Sequence, residues 1–454
     1  MTGNNPLIDR LRQARNARLQ RRGGAAEGPP SAAAHGPARR GARDFADLPG
    51  LKQVRLAHAA AELAGLRSPF FRNHETRAAP LTRIDGRDCV NFASYNYLGL
   101  NDHPEVRAAA CRAIEEWGIS AGASRLVGGE HPYHRPLEEA LAALTGAEDC
   151  IVMVSGHATN VTTIGTLMGP RDLVLVDSLI HNSVAEGVRL SGAQRIAFPH
   201  NDWEWVDDRL RRSRGAHDKV LIVVEGLYSM DGDSPDLARF IEVKDRHGAW
   251  LMVDEAHALG VLGASGRGIA EAQGVDPGAV EIWMGTLSKT LSACGGYIAG
   301  SRQLVDLLRY TAPGFVFSVG LAAPLAAAAL AAIEVMRREP RRVARLAANG
   351  RRFLEAARAA GLDTGLSQGH AVTPVIIGDS FRTALVADDI LKAGVNALPI
   401  LAPAVPEKQA RLRFFLTSEH TPEQIDRAVA VTAEAVAARR GESMLNRLGR
   451  SDPA

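Results

Sequence analysis

Lysine is scarce in this 454-residue chain. Lys52, Lys219, Lys244, Lys289, Lys392 and Lys408 are all of it, and arginine supplies the rest of the 53 basic residues. A lysine in a chemically suggestive setting therefore draws attention. An excess of one charge is also missing. The 53 basic residues face 51 acidic ones, a net charge of +2, so no global field points to nucleic acid or an anionic membrane. Cysteine is rare and scattered, at Cys89, Cys111, Cys150 and Cys294. No CxxC pair and no His/Cys cluster with zinc spacing occurs, so no metal site is expected. Four such cysteines in so long a chain fit reduced thiols in a reducing compartment, the cytoplasm. The first 22 residues are polar and Arg-rich without an apolar core, so no secretory signal is expected. The one uncharged stretch, 311–333, holds Pro313, Gly314, Gly320 and Pro324. It reads as a loop entering a buried helix, not a membrane span.

What is present is an ordinary globular balance, 46 % apolar and 23 % charged. The length allows two or three units. Residues 1–47 read as a disordered tail, with nine Arg against Asp9, Glu27, Asp44 and Asp47 and an Ala/Gly/Pro-rich middle; such a composition cannot bury enough apolar surface to offset chain entropy. The tail would suit docking to an acidic carrier protein. Leu51, Val54, Leu56, Ala59, Ala60, Leu63 and Leu66 recur at helical spacing, predicting a helix that ends near Gly65. Residues 48–100 are then an N-terminal helix and arm, 101–330 a large domain, 331–440 a smaller α+β domain, and 441–454 a closing tail.

Within the large domain, short apolar runs alternate with helical stretches. The runs are 151–154, 173–176, 220–224, 250–253 and 282–284. This pattern predicts buried parallel strands in βα units. Such sheets bind ligands at the carboxyl ends of their strands. Later candidate strands are 371–377 and 412–416. Helices are expected from Pro324 to Glu339, where Pro340 interrupts, and over 422–439.

Polar residues cluster at the strand ends. They include Gly156 and His157 after the first run, Asp177 and His181 after the second, and Glu225 and Ser229 after the third. Asp254 and His257 follow the fourth, and Thr286, Ser288 and Lys289 the fifth. A carboxylate such as Asp254 at the end of an apolar strand is costly unless paired. A Lys among hydroxyls is a candidate amine nucleophile. Gly156, opening a helix, could aim backbone N–H groups at a phosphate. An amine, a carboxylate, phosphate donors and a flat ring are together what a pyridine aldehyde phosphate needs.

The segment Val253-Asp254-Glu255-Ala256-His257-Ala258-Leu259-Gly260, followed by Gly266-Arg267-Gly268, resembles the signature of the α-oxoamine synthases. Gly285-Thr286-Leu287-Ser288-Lys289 and Glu225-Gly226-Leu227-Tyr228-Ser229-Met230-Asp231-Gly232-Asp233 resemble further motifs of that family. So do Tyr97-Leu98-Gly99-Leu100 and Ser124-Arg125-Leu126-Val127-Gly128-Gly129. The resemblance spans about residues 50–440. It implies a fold type I, pyridoxal 5'-phosphate-dependent transferase of the α/β class. A mostly parallel seven-stranded sheet would be joined by a smaller α+β C-terminal domain.

The resemblance also implies roles. Lys289 would hold the cofactor and remove the substrate's Cα proton. Asp254 would pair with the ring nitrogen, His257 with the phenolic oxygen, and His181 would stack on the ring. Gly156 and His157 N–H groups, with the Thr286 and Ser288 hydroxyls, would hold the phosphate, and Ser229 would lie near the ring. Arg413 would bind the amino acid carboxylate, a task that suits a bidentate guanidinium, with Tyr95 and Asn96 beside the substrate. The site would be shared in a homodimer, Ser318 reaching the partner's phosphate. Position 157 is His where relatives often carry an aromatic. The Ser94-Tyr95-Asn96 form looks more like serine palmitoyltransferase and polyketide-associated synthases than like members reading Ser-Asn-Asp. The expected reaction is therefore a decarboxylating condensation of L-serine with a long acyl thioester, on CoA or an acyl carrier protein, in lipid or sphingolipid synthesis. The alternatives are an 8-amino-7-oxononanoate synthase-like or other glycine- or alanine-using acyltransferase and, more remotely, an aminotransferase of the same fold.

Overall fold

The structure, a computed structural model, describes residues 44–63, 65 and 68–442. Apart from 44–47 and 441–442, the two expected tails lie outside these residues. The expected first helix is present as Pro49–Leu63. Beyond it a hairpin pairs β1 (Leu81–Ile84) with β2 (Arg87–Asn91). Its two-residue turn is Asp85-Gly86, both with positive φ, the dipeptide that a tight hairpin favours.

Seven strands follow: β3 (Asp149–Met153), β4 (Leu173–Asp177), β5 (Gln194–Phe198), β6 (Val220–Glu225), β7 (Trp250–Asp254), β8 (Ile282–Thr286) and β9 (Gly296–Gly300). They form one sheet in the order β3-β9-β8-β7-β6-β4-β5. β9 alone runs against its neighbours. The five apolar runs became β3, β4, β6, β7 and β8. Alternate residues feed two cores: Leu221 and Val223 face one, while Val220, Ile222 and Val224 face the other. A side chain of this kind, fully buried, contributes about 1.5–3 kcal/mol. β5 and β9 were not expected. β5 is a half-exposed edge strand, and β9 begins and ends in Gly, so neither carries a continuous apolar run.

The smaller sheet holds β10 (Val372–Gly378). After β11 (Val395–Asn396) come its other strands, β12 (Leu398–Ile400) and β13 (Ala410–Phe415). Its order is β10-β13-β12, antiparallel throughout. β11 instead runs parallel to β2, so the N-terminal arm and the C-terminal part share a three-stranded sheet. The last expected helix is Pro422–Ala438, started by a capping box in which Thr421 and Gln424 bond reciprocally. The 311–333 stretch is a short helical turn, Pro313–Val316, then a helix from Ala323 to Arg338. Among the described residues no helix is long and apolar enough to cross a membrane.

Parallel strands bring their last residues to one edge. Asp177, Glu225, Asp254 and Thr286 end β4, β6, β7 and β8. The loops after β4 and β6 are tied by His200, which follows β5. Its Nδ1 lies 2.9 Å from Asp177 and its Nε2 2.8 Å from Asp233. Burial lowers the imidazole's proton affinity, but the bonds and charges of the two carboxylates outweigh it and push the pKa up to about 10. A pKa raised from 6.5 stabilises the fold fully below that pH and progressively less up to about 10. Denaturant titrations of wild type and His200→Phe should therefore differ most at and below pH 6.5, the gap closing as pH rises to about 10. A gap independent of pH would contradict the ion-pair assignment.

Candidate active site

The helix Gly156–Leu167 follows β3 directly. Its cap is the Ser155 hydroxyl, which accepts the Ala158 N–H at 3.4 Å. That leaves the N–H groups of Gly156 and His157 without helix partners, as at any helix start. A Cβ at Gly156 would stand 2.8 Å from Thr286 Oγ1, so only glycine lets the helix approach the end of β8. Thr286 donates to the Gly295 carbonyl at 2.9 Å and accepts the Ser288 N–H at 3.2 Å. The four expected phosphate ligands thus lie around one concavity of about 210 Å³, which Asp254, His257, His181 and Lys289 also line.

Asp254 is buried at the end of β7. Asn160 donates to its Oδ2 at 2.9 Å and the Ala256 N–H to its Oδ1 at 2.9 Å. Asn160 also donates to Ser183 at 2.9 Å, and its carbonyl oxygen has no partner. Ser183 in turn donates its backbone N–H to His181 Nδ1 at 3.3 Å. Asp254, Asn160, Ser183 and His181 form one connected network. Asn160 and Ser183 were missed in the sequence. The signal for Asn160 was its position one helical turn beyond Gly156.

Lys289 lies beyond β8. Burial, the largest cause, lowers its pKa, although Asp254 and Glu225 oppose the shift. Glu225 moves the other way, raised first by burial and then by the Asp254 charge. It accepts the N–H groups of His181 at 2.8 Å and Ser229 at 3.3 Å. It thereby locks the loops after β4 and β6 together. In the sequence it shows only as a strand-end carboxylate within a motif. Glu255, which follows Asp254 in the signature, does not line the cavity and explains Gly268. A Cβ at Gly268 would lie 1.9 Å from Glu255 Oε2.

The Lys289 amine sits 5.7 Å from the centroid of the half-exposed Tyr95 ring. A second cavity of about 410 Å³ opens there, lined by Tyr95, Asn96, His74, Thr76, Asn101 and Ser292 among others. Asn96 is engaged at both ends of its amide, donating to the Ala78 carbonyl at 2.9 Å and accepting the Asn101 N–H at 3.1 Å. It shapes the wall. Arg413 on β13 is buried, its Cζ 4.5 Å from the Phe415 ring centroid. It donates to the Ser229 carbonyl at 3.2 Å, its Nε has no partner, and no carboxylate pairs with it among the described residues. A guanidinium without an acidic partner can receive a carboxylate, although neither Arg413 nor Ser229 lines either cavity. Ser318 does not line either cavity. It lies between exposed Phe317 and Val319.

The donor set suits pyridoxal phosphate: a buried amine, a held carboxylate, two histidines and a glycine-floored helix start. The comparisons agree. The family "Aminotransferase class I and II" matches residues 87–431. The 8-amino-7-oxononanoate synthase of Symbiobacterium thermophilum is 39 % identical over 388 residues, 86 % of this chain and 96 % of that one. The serine palmitoyltransferase of Sphingomonas wittichii superposes with TM-score 0.82 at 31 % identity, covering 87 % of this chain and 98 % of that one. The chain belongs to the α-oxoamine synthase family. A further solved structure, of SPT with PLP, covers 87 % of this chain and 99 % of its own at 30 % identity and TM-score 0.81. The synthase is thus a pyridoxal phosphate-dependent acyltransferase.

Because a Cβ at Gly156 must displace Thr286, Gly156→Ala should weaken retention of pyridoxal phosphate by roughly tenfold, about 1.4 kcal/mol. An absorbance titration of the stripped synthase measures this. Unchanged affinity would remove Gly156 from the phosphate site.

Proposed function

We propose that the synthase joins L-alanine to a seven-carbon dicarboxylic acyl thioester with loss of CO₂, giving an α-amino ketone. The observation that carries the chemistry is the convergence of Lys289, Asp254, His257 and His181 on one cavity with Arg413 held close by the same Ser229 loop. When bound, pyridoxal phosphate supplies an aldehyde for the amino acid's nitrogen and a ring that draws in the electron pair left at Cα. Lys289 holds the cofactor and then takes the Cα proton, a task helped by the burial that favours its neutral amine. Asp254, oriented by Asn160, would pair with the ring nitrogen. His257 would serve the phenolic oxygen and His181 the ring. The N–H groups of Gly156 and His157 and the hydroxyls of Thr286 and Ser288 would hold the phosphate, and Ser229 would lie near the ring. Arg413 holds the substrate carboxylate until it leaves as CO₂, and Tyr95 and Asn96 wall the approach.

The choice of substrates rests on the relatives and on the second cavity. Several curated relatives at 37–40 % identity are named 8-amino-7-oxononanoate synthase. Cutting that product between its keto and amino carbons leaves the carbons of decarboxylated alanine and a seven-carbon acyl group ending in a carboxylate. Polar side chains of His74, Thr76, Asn101 and Ser292 line the cavity beside Tyr95 and could hydrogen-bond the far carboxylate of a dicarboxylic chain. Both points favour the alanine alternative over L-serine with a long acyl chain. The thioester is on CoA or an acyl carrier protein, the latter suited to the Arg-rich segment before residue 44. The synthase is further proposed to act in the cytoplasm as a homodimer. Exposed Phe317 and Val319 flank Ser318, and a second copy would cover them and bring Ser318 to the neighbouring phosphate.

Release of CO₂ from carboxyl-labelled alanine, serine and glycine, with dicarboxylic and long-chain thioesters, tests this. Thioester-dependent release from alanine with the dicarboxylic donor is expected, and Lys289→Ala should abolish it. Release only from serine with the long-chain donor would reverse the substrate reading. Keto acid-dependent amino transfer without CO₂ would sink the condensation.

A further inference from the structure

Tyr97 is wholly buried, yet its hydroxyl reaches the active-site imidazole: the oxygen lies 2.7 Å from His257 Nδ1. The backbone around it is pinned. Tyr97 donates its N–H to the Tyr95 carbonyl at 2.8 Å and accepts the Ser418 N–H at 2.7 Å. His257 is also buried, and its ring lies nearly parallel to Phe415, centroids 6.1 Å apart at 13°. The imidazole is therefore held by a stacked ring on its face and a hydroxyl at one nitrogen. Nε2 is its remaining polar atom, and His257 lines the cofactor cavity.

Two arrangements of protons fit a 2.7 Å contact. Either the phenol donates to Nδ1 and Nε2 carries the imidazole proton, or Nδ1 donates and Nε2 faces the cavity as an acceptor. Burial decides between the groups' charge states. It holds the Tyr97 proton well above the ordinary phenol range, and it keeps His257 neutral by lowering its pKa, with Lys289, Arg413 and His181 adding to that effect. A neutral imidazole has one proton to place. Among the described residues the hydrogen-bond partner of the Tyr97 hydroxyl is His257 Nδ1, and a phenol that keeps its own proton donates it there.

We propose that Tyr97 is a positioning residue that fixes His257 as the tautomer with its proton on Nε2, so that the imidazole presents a donor to the cofactor's phenolic oxygen. This rests on the reading of the cavity as a pyridoxal phosphate site. The consequence is electronic as well as geometric. A donor at that oxygen stabilises its anionic form, so removing the phenol that enforces the tautomer makes the oxygen more basic.

Tyr97→Phe removes one atom and keeps the packing. Two readouts apply to the full chain. Nitrogen-15 spectra of histidine-labelled protein, with the His257 signal assigned by His257→Gln, should show wild-type Nε2 as the protonated nitrogen and a mixture of tautomers in Tyr97→Phe. The pH midpoint of the bound cofactor's visible band should rise by roughly one unit in the variant. A wild-type spectrum with the proton on Nδ1 overturns the proposal, even if the variant does not fold. So does a variant whose tautomer and band are unchanged. Wild-type protein that shows no cofactor band at all would instead count against the site reading.

Discussion

Desolvating the amine of Lys289 at the end of a parallel sheet creates a charge problem, and the neighbouring strands are arranged around it. Burial pushes the lysine towards its neutral form. The carboxyls of Asp254 and Glu225, closing β7 and β6, pull the other way. Glu225 pays for its own burial by taking up a proton more readily. The result is an amine that can exchange its proton near neutrality, facing a carboxylate held by Asn160 and the Ala256 N–H. A parallel sheet makes this possible because β4, β6, β7 and β8 deliver their last residues to one edge.

The loops beyond that edge are cross-braced by polar contacts. Glu225 joins the His181 and Ser229 amides, and His200 joins Asp177 to Asp233. Arg411 pairs with Asp231 at 2.6 Å, tying the loop after β6 to the strand that carries Arg413. Two parts of the fold thus meet through a motif loop that contributes few side chains to the cavity. This accounts for a long acidic, glycine-containing segment where chemistry alone asks for little.

Much of this was legible in the sequence because it follows from burial. Continuous apolar runs marked five of the seven strands, and polar residues at their ends marked the cavity. β5 and β9 escaped for physical reasons: one is a half-exposed edge and the other is bounded by glycines in a loop-like context. Glu225 carried the same signal as Asp254, a carboxylate closing an apolar strand. Asn160, Ser183 and Tyr97 act through other side chains brought close only by folding, Tyr97 from 160 positions away. No local pattern announces such partners. Substrate choice was equally hidden, since it depends on which side chains line a cavity and not on the motifs that hold the cofactor.

The central claim is that Lys289, half-buried and set among acids, anchors the cofactor. Borohydride trapping of pyridoxal phosphate on the protein, followed by peptide mapping, tests it directly, because the chain has only six lysines. The account predicts the label on Lys289 alone. A label on another lysine, or one spread over exposed lysines with Lys289 unmodified, would contradict it.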